Sequence, residues 1–173
     1  MACTLTTGFD LGCRDSVGGI KKLYVTAIEN VETITSSTGT ISAIDMAQGT
    51  KFFVYNVEKE SAEWTETTTV SVENGTKFSE QVLTVPVTKM TAAKRNELKL
   101  LSQNRVAVIV LDRNGVYWLL GENNGMDLLT KEAKTGKAMG DMNGWTLTFN
   151  GKEESEAQTV ASGIIAGLLE PAA

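Results

Sequence analysis

The chain has 173 residues, a net charge of −5 and no histidine. This length is typical of one domain and lets a folded chain bury roughly 70% of the surface that its unfolded form exposes. The absence of histidine excludes Ser-His-Asp and Cys-His catalysis. The acidic balance argues against a general nucleic-acid binder, which normally carries a basic surface.

The first residues carry neither a basic region nor an apolar stretch, so we expect no secretory signal. The longest apolar runs, 106–111 and 163–169, are far shorter than the roughly 20 residues that cross a bilayer. We therefore expect a protein of the reducing cytoplasm that does not bind a membrane. Cys3 and Cys13 are expected as thiols, with a bridge between them as the alternative.

The composition favours β-structure. Threonine occurs 22 times and proline only at Pro86 and Pro171, and the branched threonine side chain favours extended backbone. Asn-Gly dipeptides predict tight turns because both residues tolerate positive φ. The chain has five of them, with the glycines at Gly75, Gly115, Gly125, Gly144 and Gly151.

In chain order, an arm over residues 1–20 precedes a predicted strand at 21–28. The segment 34–46 predicts an edge strand near 40–44, and 51–57 predicts a stronger strand. A long hairpin follows, with arms 64–72 and 77–87 hinged at Asn74-Gly75. A second hairpin, 106–111 with 116–120, is continuously apolar and is predicted to be buried on both faces. The last predicted strand, 145–149, lies between two Asn-Gly dipeptides.

One clear helix is predicted at 92–103, because Thr91 is a good N-cap and strong helix formers follow it. A shorter helix is predicted in either 130–137 or 158–169. This order predicts a mainly β, single domain over residues 1–173. Its architecture is an antiparallel β-sandwich or barrel with one flanking α-helix, a long β-hairpin and a C-terminal segment at 158–173.

The sequence contains no complete catalytic or metal-binding motif. Lys134-Thr135-Gly136 lacks the Ser-x-x-Lys nucleophile motif that accompanies it in penicillin-recognising enzymes. The segments that begin at Asp112 and Asp141 hold only fragments of a calcium loop. Runs of glutamate are typical of a solvated face. The sequence therefore predicts a protein that is not an enzyme and has no catalytic residue, metal or cofactor.

The charges are segregated along the chain. Residues 26–81 hold nine acidic and three basic side chains, whereas residues 84–113 hold six basic and two acidic ones. Chance and helix solubility offer one explanation. The alternative is a head-to-tail contact between copies, in which an acidic surface meets a basic helix. The candidate interface residues are Glu58, Glu60 and Glu63 on the acidic side and Lys94, Arg95 and Lys99 on the helix.

The long hairpin supports the same hypothesis. Its threonine- and glutamate-rich arm would be marginal alone in water and would gain stability if neighbouring copies continued its sheet. In a closed ring of copies, one polar face would line a lumen. The candidate lumen residues are Thr65, Glu66, Thr67, Thr69, Ser71, Glu73 and Glu80.

The sequence resembles the tail tube (major tail) proteins of bacteriophages. The resemblance covers about half of the chain, from 82 to 153. It includes the extended arm, the helix capped by Thr91, the hairpin 106–120 and a late strand. That strand reads Gly-Trp-Thr-Leu-Thr-Phe-Asn-Gly-Lys-Glu from Gly144, like the family's "Gly-aromatic-Thr-x-Thr…Gly-x-Glu" pattern. The opening from Cys13 to Lys21 also resembles the starts of phage structural proteins.

The resemblance implies hexameric rings that stack into a tube with an acidic lumen, through which DNA passes without sticking. It further implies a virion protein that is assembled in the host cytoplasm. Its partners would be copies of itself, with sheath, tape-measure and tail terminator proteins as further partners. The loops 12–19 and 46–62 would contact the adjacent ring.

Two other functions remain open at this stage. The first is another virion component, such as a capsid decoration or head–tail connector protein. The second is a β-sandwich module that binds a ligand or acts as an adhesin, with tryptophans as sugar-stacking platforms. Trp118 and Trp145 are predicted in the core because they lie in apolar strands, which leaves Trp64 as the exposed candidate.

Overall fold

The computed structural model describes residues 7–170. Eleven strands and two helices make up the described part of the chain. The strands are β1 (Ile20–Ala27), β2 (Val31–Ser37), β3 (Thr40–Met46), β4 (Phe53–Asn56), β5 (Glu63–Ser71), β6 (Thr76–Thr88), β7 (Val106–Asp112), β8 (Tyr117–Leu120), β9 (Asp127–Lys134), β10 (Gly144–Glu153) and β11 (Gln158–Val160). The helices are α1 (Ala92–Leu101) and α2 (Ser162–Leu168).

The strands form two sheets. The large sheet has the order β2-β3-β11-β8-β7-β1-β4 and is antiparallel except for the β11–β3 pair. The small sheet has the order β5-β6-β10-β9 and is antiparallel throughout. The predicted mainly β sandwich with one flanking helix and a long hairpin is confirmed.

The sandwich core lies between the two sheets. Val108 and Val110 of β7 face Leu83, Leu147 and other side chains of the small sheet. The alternate residues of β7 face the opposite way and pack with Ile165 and Leu168 of α2. Strand β7 is thus buried on both faces, as its continuous apolar sequence predicts.

Helix α1 flanks the sandwich core. The Thr91 side chain accepts a hydrogen bond from the Lys94 backbone N–H at 3.3 Å, which confirms the predicted N-cap. Leu98 and Leu101 are buried and join the core between the sheets. Burying these two leucines holds the helix against the body.

Two secondary-structure predictions are wrong. Residues 130–137 do not form a helix, because β9 pairs with β10 there. The alternative segment, 158–169, does contain the predicted short helix as α2, preceded by the short strand β11. The strand β3 is not at an edge, because it lies between β2 and β11.

Two of the five predicted Asn-Gly turns are also wrong. Gly75, Gly115 and Gly125 have positive φ, as such turns require. Gly144 and Gly151 instead lie within β10. A Cβ on Gly144 would lie 2.2 Å from the Val87 carbonyl oxygen, so this glycine is required for close strand approach rather than for a turn.

Candidate functional site: an assembly surface

The small sheet has an unpaired strand at each edge. Strand β5 pairs only with β6, and β9 pairs only with β10. The two edge strands have nearly equal lengths, nine and eight residues. Unpaired edges of this length are templates for further strands.

Pro86 reveals which backbone groups face the free edges. It lies opposite Thr146 of β10, and because it has no N–H this pair is not hydrogen bonded. Hydrogen-bonded and non-hydrogen-bonded pairs alternate in an antiparallel ladder. Thr146 therefore hydrogen bonds on its other side to Glu132. It follows that Lys131 and Ala133 of β9 direct their backbone groups to the free edge.

The same alternation shows which backbone groups point outward at the other edge of the small sheet, along β5. Thr84 lies two residues before Pro86 and opposite Glu63 of β5, so its backbone groups point to β5. The backbone groups of alternate β5 residues then point away from the sheet. These residues are Trp64, Glu66, Thr68 and Val70.

The face of the small sheet that points away from the core is polar. We call it the polar face. One row across all four strands consists of Glu63, Thr84, Thr148 and Thr130. The face holds four acidic side chains and two basic ones, a net charge of −2. Its members include Thr65, Thr67, Thr69, Ser71, Phe78, Glu80, Val82, Thr146, Asn150, Lys152, Asp127, Glu132 and Lys134.

Most of the predicted lumen residues lie on this polar face. Strand alternation places Thr65, Thr67, Thr69 and Ser71 on it, and Glu80 joins them from the paired strand. There Glu80 accepts a hydrogen bond from Asn150 at 2.9 Å. Glu73 lies in the turn between β5 and β6.

Glu66 is the exception, because it lies on the opposite face of β5. Its Oε1 atom accepts hydrogen bonds from Ser79 Oγ at 2.8 Å, Gln81 Nε2 at 3.0 Å and the Ala157 backbone N–H at 2.8 Å. Ser79 and Gln81 are fully buried. Glu66 therefore satisfies buried donors behind the sheet, and the prediction that it lines a lumen with its neighbours is wrong.

The tip of the long hairpin extends beyond the rest of the sheet, since β10 ends opposite Ser79. Glu156 contacts this extension through a 2.6 Å ion pair with Lys77 and a 3.3 Å hydrogen bond from Thr68. The contact with Lys77 lowers the pKa of the Glu156 carboxyl. Val70 and Val72 at the tip are exposed.

The two charged sets of the predicted interface meet at one place on the same molecule. Lys94 of α1 and Glu58 of the β4–β5 loop line the same groove. Glu60 is in that loop, and Glu63 begins β5. Arg95 and Lys99 are exposed on α1. Lys94 and Glu58 therefore share one region of the surface.

The structure has a second basic region, which was not predicted from the sequence. Residues 131–137 contain Lys131, Lys134 and Lys137 against a single acid, Glu132, and all of them are exposed. At the opposite edge of the sheet, residues 58–73 contain five acidic side chains and one basic one. The lysines of residues 131–137 were not recognised as a basic sheet edge because this segment was predicted as a helix.

The tryptophans form no exposed platform. Trp145 is buried, and Trp64 packs against Trp118 with ring centroids 5.9 Å apart. Both of these rings are half-buried against the sandwich core. The prediction that Trp64 is exposed is wrong, because strand alternation turns it inward.

One buried carboxyl holds a loop rather than a ligand. Glu153 is 2% exposed and accepts hydrogen bonds from the backbone N–H groups of Asn123 at 3.2 Å and Asn124 at 3.0 Å. Burial raises the pKa of the Glu153 carboxyl, and the nearby Glu122 adds to the rise. These hydrogen bonds fix the loop between β8 and β9, which positions the free edge of β9.

Across residues 7–170, no group of three His, Cys, Asp or Glu side chains is placed to hold a metal. In the same range no helix is long and apolar enough to cross a bilayer. Cys13 is a free, exposed thiol, whereas Cys3 lies outside the described residues.

Comparisons with protein-family models, curated proteins and solved structures found no significant match to this chain.

Proposed function

We propose that this protein is the structural subunit of a phage tail tube and that its copies join edge to edge into rings. The observation that carries the proposal is the small sheet, which has two free edges of matched length and a polar outer face. The acidic β5 edge of one copy would pair with the lysine-bearing β9 edge of the next. Such a heterologous contact closes into a ring when the rotation between copies permits it.

The strand directions favour this arrangement. Four antiparallel strands give β5 and β9 opposite directions. A copy related by rotation would therefore present its β5 antiparallel to β9, and the ladder would continue without a change of type. Six copies would supply 6 × 4 = 24 strands. With usual strand spacing and tilt, such a barrel has a backbone diameter of roughly 40–50 Å.

The polar face is suited to the inside of that ring. Its threonines and net charge of −2 offer no basic surface to hold phosphates, so DNA would pass without strong binding. The outer surface of the ring would then contact a sheath or other tail proteins. Tape-measure and terminator proteins are the partners proposed inside and at the end of the tube, and the virion is the proposed location.

Two triple variants test which basic surface mediates assembly. One changes Lys131, Lys134 and Lys137 to Glu on the β9 side. The matched control changes Lys94, Arg95 and Lys99 to Glu on α1, so both lose the same positive charge. Negative-stain images and sedimentation of the purified proteins would report rings and tubes. We expect the β9 variant to stay monomeric, because like charges would face each other across the contact.

If the β9 variant formed rings and the α1 variant stayed monomeric, the result would favour the helix contact predicted from the sequence over the edge contact. Strictly monomeric wild-type protein at high concentration would refute the proposed function. Rings that never stack, or trimers, would instead indicate a connector or capsid decoration protein.

A further inference from the structure

The N-terminal arm, residues 7–16, carries large apolar side chains with no contact on the body. Phe9 and Leu11 are fully exposed. In an extended backbone they project to the same side, because side chains alternate along a strand. The arm leaves the body at a fixed point, since Val17 N–H donates to Asn114 Oδ1 at 2.8 Å and Asn114 Nδ2 donates to the Val17 carbonyl at 3.0 Å.

An apolar groove lies between the two sheets, on the side where α1 flanks the core. It has a volume of about 330 Å³. Its lining includes Val54 of β4, Val85 and Val87 of β6 and Leu98 of α1. A second recess next to it is lined by Phe53 and Leu100, which are 52% and 53% exposed. Glu97 and Tyr55 line both.

The backbone beside the groove is also unpaired. Among the strands, β4 pairs only with β1. On its other edge the preceding residue, Phe52, bonds Leu168 and Glu170, whereas Val54 and Asn56 have no backbone partner there among the described residues. On the opposite wall, β5 stops opposite Thr84, and Pro86 supplies no N–H. An added strand would therefore find its backbone partners on β4 rather than on β6.

We propose that the arm of a second copy occupies this groove, where it adds a strand to β4 and buries Phe9 and Leu11. The two recesses along β4 match two side chains on one side of an extended arm. Lys94, which lines the groove together with Glu58 and Glu97, offers a charge partner for Asp10, which stands between the two apolar residues. This inference rests on the proposed self-assembly and adds a contact apart from the small sheet.

A disulfide test uses the native Cys13, which lies two residues beyond Leu11 in the arm. In a Cys3→Ser background, Glu97→Cys places a thiol beside both recesses. Because a disulfide needs Cα atoms within about 7 Å, a docked arm would hold the two thiols in reach and raise the yield above that of random encounters. The matched control is Thr35→Cys, exposed on β2 at the far edge of the large sheet. We expect Glu97→Cys, and not Thr35→Cys, to give disulfide-linked multimers under mild oxidation.

A link within single monomers would show that each arm binds its own groove and would overturn the second-copy proposal. A yield of disulfide-linked multimers from Glu97→Cys no higher than that from Thr35→Cys would also overturn the proposal.

A second variant avoids reliance on cysteine. Phe9→Ser with Leu11→Ser should raise the concentration needed for assembly at least about 100-fold, since two buried side chains are lost. The monomer should stay folded because neither side chain contacts the body. Normal tubes from this variant, together with no Glu97→Cys link, would overturn the arm contact and leave the proposed function standing. Wild-type protein that never assembles would overturn both.

Discussion

Replacing Ala133 with proline should prevent ring closure and leave the monomer folded. The register of the small sheet directs the backbone N–H of Ala133 to the free edge of β9, and the side chain is exposed. Proline removes that N–H and places its ring where the neighbouring strand would lie. Within the monomer no hydrogen bond is lost, because edge strands tolerate proline on their outer side.

The size of the effect follows from the hydrogen bond that the contact loses. A carbonyl of the neighbour would be buried without a donor, which costs about 1–3 kcal/mol per interface. That cost weakens each contact by about 5- to 150-fold. Because a closed ring repeats the contact at every interface, we expect monomers at concentrations where the wild-type protein forms rings. Sedimentation velocity and negative-stain imaging would measure this.

Glu132→Pro is the matched control, one residue away on the same strand. Its N–H points inward to β10 opposite Thr146, so this variant should lower the free energy of unfolding by about 1–3 kcal/mol. Urea unfolding at low protein concentration separates the two effects. Rings formed by Ala133→Pro at the wild-type concentration, or equal destabilisation of both monomers, would refute the edge assignment.

Three further predictions concern the folded monomer, and urea unfolding checks each of them. The pKa of the Glu153 carboxyl is raised in the folded protein, so its contribution to stability is present below its ordinary pKa of 4.5 and is lost as pH rises through the folded pKa. The free energy of unfolding of Glu153→Gln relative to wild type should therefore increase as pH rises from 4.5 through the folded pKa. Gly144→Ala should cost at least about 1–3 kcal/mol because its Cβ meets the Val87 carbonyl, whereas Gly163→Ala, in open space on α2, should be neutral or gain up to about 1 kcal/mol. Leu98→Ala should cost about 2–5 kcal/mol by detaching α1 from the core; a loss below about 1 kcal/mol would contradict the packing described.

The sequence predicted those elements whose signal is local. The run 106–111 indicated a strand buried on both faces, and Thr91 indicated the start of α1, because burial and capping depend on neighbouring residues. Strand β9 was missed because its residues are nearly all exposed and show no alternation. Only its pairing with the next strand, β10, makes it a strand, and the exposed residues of β9 do not themselves signal that pairing.

The candidate site was predictable in part for the same reason. Strand alternation would have placed Thr65, Thr67 and Thr69 on one face and Glu66 on the other. What the sequence could not reveal is that Ser79 and Gln81 are buried behind β5 and require a carboxylate partner. Likewise, Gly144 and Gly151 have the turn dipeptide, but both lie within β10. There the Val87 carbonyl makes glycine necessary at 144, and a Cβ on Gly151 would lie 3.1 Å from the Met126 side chain.

The double burial of β7 has a consequence for synthesis of the chain in the cell. Its residues 106–111 are six uncharged apolar side chains, three of them valine and one isoleucine, with no proline, a composition that promotes amyloid-like stacking when exposed. Arg105, Asp112 and Arg113 flank these six residues with charges that oppose such stacking. Its partner β1 emerges from the ribosome earlier and is available to pair at once. Early pairing with β1 thus covers one backbone edge of β7, whereas the α2 side chains that cover one of its faces are synthesised last.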